Sequence, residues 1–325
     1  MQFTESNKGS TIMRATQGIE FKPLIKTLVE RNAVGMIVAP AKAKKSMLAL
    51  NLVFSLLTKK PFLGLPVSEE QDKIVYVNLE LTKTALGVRL RTMNTFYNAT
   101  PKQLDNVMFL SSDEFCKGEA LVDTKTQKVN QEPFNALAEA AKNWGATVII
   151  FDPLYYVVGE ENDNVLMTAV LREFGKLRTE LNAAIFVVHH TGKSAVDWSD
   201  PFLAGRGASA IGGAFEFVLG IEPKGDNEGR LHHGSRNYAT VKPFTIRFNP
   251  ASFSWHSAHE ESTDVQLDKI MGKDDALLLD DFHSRAKEMG LPRSRAESFL
   301  RCSKNYEKTK GYRGSRVKVQ RRMNH

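Results

Sequence analysis

Short apolar runs recur along the first 256 residues, and most are continuous rather than alternating. They fall at 35–39, 74–79, 107–110, 147–151, 184–188 and 217–221. A strand buried on one face alternates apolar and polar positions. An unbroken Val/Ile/Leu/Phe run predicts a strand covered on both faces, as in a parallel sheet between helices. The gaps carry helical periodicity at 46–57, 84–97, 133–144 and 165–181. Strands alternating with helices at this spacing predict βαβ units, hence an α/β fold with a mostly parallel central sheet. Past residue 221 the rhythm shortens, and 230–240, 244–249 and 252–256 read as short antiparallel strands at a hairpin edge.

The chain divides into a flexible N-terminus at 1–18, an α/β domain at 19–256, a linker at 257–264 and a small module at 265–325. In the module, 265–289 reads as helical, with Ala276, Leu277, Leu278, Leu279 and Phe282 available for a core. A turn and short helix follow at 292–302, and Gly311 and Gly314 bracket a basic turn before Val317 and Val319. Helix, turn, helix and a basic two-stranded tip make a winged-helix-like order.

Composition narrows the setting. Of 325 residues, 42% are hydrophobic and 25% charged, enough for a core and a solvated surface. No apolar run approaches the roughly eighteen residues a membrane span needs, and residues 1–11 lack the apolar stretch of a signal peptide. Two cysteines, Cys116 and Cys302, exclude a disulfide scaffold and a Cys-rich zinc module, and fit a cytoplasmic, reducing compartment. The net charge of +7 is unevenly placed. Residues 291–325 hold eleven Lys/Arg and two Glu, a local +9, so the other 290 residues carry −2. A basic tail suits a polyanion, most often nucleic acid, and equally suits a solvated tail.

Four strand ends and one long segment carry candidate chemistry. The first strand runs into Ala39-Pro40-Ala41-Lys42-Ala43-Lys44-Lys45-Ser46, followed by Met47 and a helix. Strand, loop and helix N-terminus is the arrangement of a phosphate-binding P-loop, in which a Lys reaches the β/γ-phosphates and a hydroxyl meets Mg²⁺. Lys45 and Ser46 supply both. Ala39 and Lys44 stand where G-x-x-x-x-G-K-[ST] has its glycines, and Lys44 puts a bulky side chain where the loop normally approaches the nucleotide. Read alone, the loop suits a basic helix start as well as a nucleotide site. The second strand ends at Glu80, a position from which a carboxylate can orient the attacking water; a solvated strand-end Glu is the plainer alternative. Asp152 follows four apolar residues, the Walker B arrangement for a carboxylate serving Mg²⁺; turn capping before Pro153 is the alternative. The next strand ends in His189 and His190, either of which can sense a γ-phosphate. A second pair, His232 and His233, reads as surface. The segment 193–210, with Lys193, Trp198, Gly205, Arg206, Gly207 and Ser209, lies past the strand ends, where α/β folds place ligands.

Taken in order, these motifs make residues 18–248 resemble the RecA/DnaB-like P-loop ATPases, and most closely the RepA type of hexameric plasmid and phage replicative helicase. The resemblance rests on 35–50, on Pro61-Phe62-Leu63-Gly64 with 75–80, and on 148–154, 187–193 and 206–210. It implies ATP and Mg²⁺ as cofactors, a homo-hexamer or other ring, and single-stranded DNA as partner. It also implies a bacterial cytoplasmic setting, plasmid- or phage-encoded. Lys45 and Ser46 then match the Walker A Lys and hydroxyl, Glu80 the catalytic carboxylate, Asp152 the Walker B acid and His189 or His190 the sensor. Arg236 is the candidate trans-acting arginine, with Arg206 second; the Lys found two residues before that Arg in the family is Gly234 here. Lys193 and Arg206 would track a single strand's phosphates, and Arg313, Arg316 and Lys318 of the tail would meet duplex DNA. The alternative is a RecA-fold replication-accessory protein whose altered P-loop has little or no ATPase activity. A recombinase or signalling ATPase on the same fold is a third.

Overall fold

The computed structural model describes residues 3–18, 20–117, 119, 121–123, 126, 128–158, 163–192, 196–205, 210–258, 267, 270–272, 274, 276–288, 293, 296–297, 300, 306–309 and 317–321. The chain separates into two compact units, Met1–His256 and Ser257–His325.

The first unit is built on a nine-stranded sheet. Its strands are β1 (Val34–Ala39), β2 (Ile74–Asn78), β3 (Val107–Ser111), β4 (Val148–Asp152), β5 (Ala184–His190), β6 (Phe217–Pro223), β7 (Glu228–Ser235), β8 (Phe244–Asn249) and β9 (Ser254–Ser257). They lie in the order β9-β8-β7-β6-β1-β5-β4-β2-β3. The six strands from β6 to β3 are parallel; β7 turns antiparallel to β6, and β8 antiparallel to β7. The principal helices are α1 (Lys45–Thr58), α2 (Lys83–Tyr97), α3 (Glu132–Trp144) and α4 (Asn164–Leu181). This is the α/β architecture with a mostly parallel central sheet that the sequence pattern predicts.

The continuous apolar runs have the expected cause. Every residue of β1, β2 and β4 is buried. Alternate side chains feed two cores. On one face Ile37, Tyr76, Ile150 and Val188 pack with Leu48, Leu52 and Phe54 of α1. On the other, Val38, Val77, Phe151 and Val187 pack with Phe134 of α3 and Phe174 of α4. Period-two alternation assigns each strand residue to one face or the other.

Several boundaries differ from the sequence reading. Strand β4 runs through Asp152 and β5 through His190, so residues expected just past the strand ends belong to the ladder: Asn78 pairs with Asp152, and Ala39 with His190. Strand β7 stops at Ser235 rather than continuing to 240. There the Ser235 hydroxyl accepts from the amides of Asn237 and Tyr238, turning the chain. At the N-terminus a turn of 3-10 helix, Glu5–Asn7, and a short helix, Gly9–Ala15, bury no side chain. Among the described residues no helix is long and apolar enough to cross a membrane.

The second unit holds a three-stranded sheet of β10 (Ala276–Leu278), β11 (Tyr306–Thr309) and β12 (Lys318–Arg321), in the order β10-β12-β11, with α5 (Leu279–Glu288). The apolar run at 276–278, read as helix, is a strand. Its Leu277 pairs with Val319, and a run this short cannot be told from helix by periodicity. Leu277, Phe282, Tyr306 and Val319 share a core with Leu267, Ile270 and Met271.

Candidate nucleotide-binding site

The loop after β1 turns tightly into α1. Lys42 and Lys44 take left-handed backbone angles, φ 64° and 60°, a region that costs a non-glycine residue on the order of 1 kcal/mol or more. Lys44 is the N-cap of α1 and gives it no side-chain cap, and no acidic residue lies in the first turn. The first amides of a 14-residue helix are therefore left for an anion to meet.

Lys44 does not fill the loop as its size suggests. Its ammonium lies 5.1 Å from the centroid of the Phe248 ring and donates to the Asp226 carbonyl. The side chain thus runs to the antiparallel part of the sheet. Lys45 is buried and stays at the loop, where its Nζ donates to Pro40 O at 3.1 Å and lies 3.0 Å from His190 Nδ1. An ammonium can only donate, so Nδ1 accepts and the imidazole carries its hydrogen on Nε2.

Strand alternation separates the two histidines. His190 has the parity of Phe186 and Val188 and faces α1 and the loop. His189 has the parity of Ile185 and Val187, faces the other core and is fully buried. Of the two sensor candidates, the fold brings His190 to Lys45.

Asp152 projects onto the same face as His190. Its Oδ1 accepts from Ser46 Oγ at 3.1 Å and its Oδ2 from Tyr76 OH at 2.5 Å. Burial raises the Asp152 carboxyl above its ordinary value; the Tyr76 and Ser46 hydrogen bonds oppose this, the Glu80 charge adds to it, and Lys45 draws it down. Burial, and then the Asp152 charge, push the Tyr76 phenol well above 10, so it remains a donor. Sequence reasoning missed Tyr76 because it sits inside an apolar run; its one signal was a polar tip at a buried strand position. Arg89 of α2, also missed, acts on Tyr76 through its charge.

Glu80 is exposed at the apex of the turn after β2. Asn78 closes that turn, accepting from Leu81 N at 3.1 Å and donating to Leu81 O at 2.6 Å. Arg236 stands apart from this group. Its guanidinium donates to the carbonyls of Gly213 at 2.7 Å and Gly212 at 3.3 Å, at the end of the short helix Ala210–Ala214. Lys318 is exposed on β12 of the second unit. Lys193, Arg206, Arg313 and Arg316 lie outside the described residues.

The donor set suits a hard cation. Ser46 and Asp152 present oxygens side by side, and Mg²⁺ takes one or two protein oxygens and fills its shell with phosphate and water. Among the described residues no cluster of three His, Cys, Asp or Glu could hold a metal by itself.

A separate cavity of about 500 Å³ lies between the segment after β5 and strands β6 and β7, lined in part by Asp197, Trp198, Glu222, Arg230 and His232. It contains none of the loop residues. His232 and His233, expected at the surface, are buried. The Trp198 ring stacks on His232 with centroids 4.9 Å apart, and His232 Nε2 lies 2.9 Å from Glu222 Oε2. Trp198 can sit there because residue 220 is Gly; a Cβ would come within 2.3 Å of its ring. His233 Nε2 donates to Leu28 O at 2.8 Å, and its Nδ1 accepts from Val241 N at 3.1 Å. Both histidines occupy a strand packed on two sides, which the polar letters concealed.

A family model described as an AAA domain matches residues 14–196, more than half of the chain. No curated protein matches. Among solved structures, a KaiC-like protein from the hyperthermophilic archaeon Pyrococcus horikoshii OT3 is 10% identical over 73% of this chain and 99% of its own, with a TM-score of 0.49. The RadB recombinase is 14% identical over 74% of this chain and 94% of its own, with a TM-score of 0.46.

Proposed function

The chain belongs to the AAA-domain family, and from that premise we propose that it is a DNA-dependent ATPase of the RepA/DnaB-like replicative helicase type. One observation carries the reading. Lys45, Ser46, Asp152 and His190 converge on one face of the sheet at the uncapped start of α1, joined by contacts of 3.0 to 3.1 Å.

Bound Mg·ATP supplies the phosphoryl group and the negative charge that this arrangement lacks. Lys45 exchanges Pro40 O and His190 for phosphate oxygens, and the loop amides share that charge. Ser46 and Asp152 would hold the shell of a bound Mg²⁺, which would neutralise charge on the phosphates. Glu80 orients the attacking water and takes its proton. His190, released from Lys45, reports the γ-phosphate to the segment that follows β5. That segment, with Lys193 and Arg206, tracks single-stranded DNA by its phosphates. The basic second unit, with Arg313, Arg316 and Lys318, adds backbone contacts to duplex DNA. Arg236 acts on a neighbour's nucleotide in a homo-hexameric ring. The protein works in the cytoplasm of a bacterium that carries the plasmid or phage encoding it.

The test is ATP turnover with and without single-stranded DNA, together with unwinding of a forked duplex. Wild type should hydrolyse ATP faster with DNA and unwind the fork, and Glu80→Gln should do neither. Arg236→Gln should keep nucleotide affinity and lose turnover roughly a thousandfold; an unchanged rate removes the trans assignment. Deleting 291–325 should flatten the salt dependence of DNA binding. A second reading, an accessory protein that binds nucleotide weakly, draws on the two left-handed lysines in the loop. Absence of Mg·ATP binding by calorimetry would decide for it.

A further inference from the structure

Lys44 takes a conformation suited to glycine, and the fold holds it there from three directions. Its carbonyl accepts from Met47 N at 3.1 Å and Leu48 N at 3.2 Å, which start α1, and from Trp255 Nε1 at 3.3 Å. Its ammonium is drawn away by the Asp226 carbonyl and the Phe248 ring. Trp255 and Phe248 pack edge to face, 5.3 Å apart. Trp255 is itself fixed to α1: its backbone N donates to Asn51 Oδ1 at 2.9 Å, and its backbone O accepts from Asn51 Nδ2 at 3.1 Å. The indole therefore has a set position relative to the helix whose N-cap residue it steadies.

We infer that Trp255, with Phe248 and the Asp226 carbonyl, forms a clamp that replaces the missing glycine of the phosphate-binding loop. The clamp does two things a glycine would do unaided. It keeps residue 44 left-handed, so that the amides after it open toward the phosphates. It also carries the long side chain out of the space those phosphates need. Trp255 is thus a positioning residue that acts through Lys44 and touches no nucleotide. The inference rests on the reading of this loop as a nucleotide site, and its test separates the two.

The full chain is compared as wild type, Trp255→Phe, Lys44→Gly and the double variant. Mg·ATP affinity is measured by calorimetry and the ligand-free melting temperature in parallel. Trp255→Phe keeps a ring and removes the indole N–H. It should weaken nucleotide binding roughly three- to tenfold, the range for one hydrogen bond. In the Lys44→Gly protein the same change should cost less than about twofold, because glycine takes the left-handed angle without help. The melting temperatures should show the same coupling, with Lys44→Gly raising stability most when Trp255→Phe is present. Equal losses in both backgrounds, in affinity and in melting temperature, would make Trp255 an ordinary core residue and overturn the clamp. If wild type binds no nucleotide, or binds it equally well as Lys45→Ala, the ATPase reading falls. The melting temperatures then decide the clamp alone: coupling supports it and additivity overturns it.

Discussion

The two ends of the parallel strands treat a buried carboxylate in opposite ways. At the end where β2 and β4 begin, Asp72 has no exposed side chain and is met by Arg31 Nη1 at 2.9 Å, Lys59 Nζ at 3.2 Å and Thr147 Oγ1 at 3.0 Å. At the same end of the sheet, the partly exposed Glu216 takes Arg178 Nη1 at 2.9 Å and Val34 N at 2.8 Å. At the other end, Asp152 is equally buried but is met by two hydroxyls, Tyr76 and Ser46. The charges that act on it pull against each other, Glu80 raising its pKa and Lys45 lowering it. Cations neutralise the first end and make it structural. Hydroxyls satisfy geometry at the second without cancelling the charge, and they leave a demand that a bound cation would meet.

The largest test of this contrast is on turnover. Lys45→Ala and Asp152→Asn should each lower ATP hydrolysis roughly 10²- to 10³-fold, as loss of one preorganised electrostatic group does. Neither should lower the melting temperature, since neither breaks a charge-compensated pair; Lys45→Ala should stay close to wild type and Asp152→Asn should match or slightly exceed it. Phosphate release and thermal unfolding on the same preparations check both halves.

Asp72→Asn should do the reverse. It leaves Arg31 and Lys59 facing a neutral amide, and they are only 15% and 26% exposed. The expected loss is about 3 kcal/mol of stability, with turnover per folded molecule unchanged at low temperature. Urea unfolding measures the first and a rate at permissive temperature the second. An Asp72→Asn protein as stable as wild type would dissolve the distinction between the two ends.

Tyr76→Phe is a finer probe. It removes one of the two donors to Asp152 and keeps the ring. About 1.5 kcal/mol should be lost, the value of one hydrogen bond to a charged group. The Mg²⁺ concentration needed for half-maximal turnover should shift, because the carboxylate is then less well aimed. Urea unfolding and a magnesium titration check the two effects.

What was legible in the sequence follows from this geometry. The strands could be read because burial on both faces writes continuous apolar runs, and Asp152 drew notice as the acid directly after such a run, with turn capping before Pro153 as the alternative. The two strand-end histidines could not be separated. The sequence reading ended β5 at Val188, and only when the strand runs to His190 does alternation put one His at the loop and the other in the far core. Tyr76 and Asp72 were hidden for opposite reasons, one by apolar neighbours and the other by the polar turn before β2. The fate of the Lys44 side chain depends on Phe248 and Trp255, some two hundred residues away, and no local pattern carries it. The strand at 276–278 was lost because three apolar residues fit either period.

The smallest effect is a pH dependence, and its sign is fixed by the direction of the Asp152 shift. The ordinary carboxyl value is 3.8, and burial raises it in the folded protein. As pH rises past about 3.8 the unfolded chain gives up this proton while the native state keeps it, so the native state binds more protons and stability from this group falls. The fall is complete once pH exceeds the raised folded value, where Asp152 must ionise in place. Asp152→Asn has no such group. Its melting temperature, measured from pH 4 to pH 8 without nucleotide, should gain on wild type as pH rises and then run parallel. The other carboxylates cancel in the difference between the two proteins. Adding Mg·ATP should reduce wild type's deficit, because a cation at Ser46 and Asp152 favours the ionised form. A difference curve that is flat across the whole range would show Asp152 compensated like Asp72, and the contrast between the two ends of the sheet would fail.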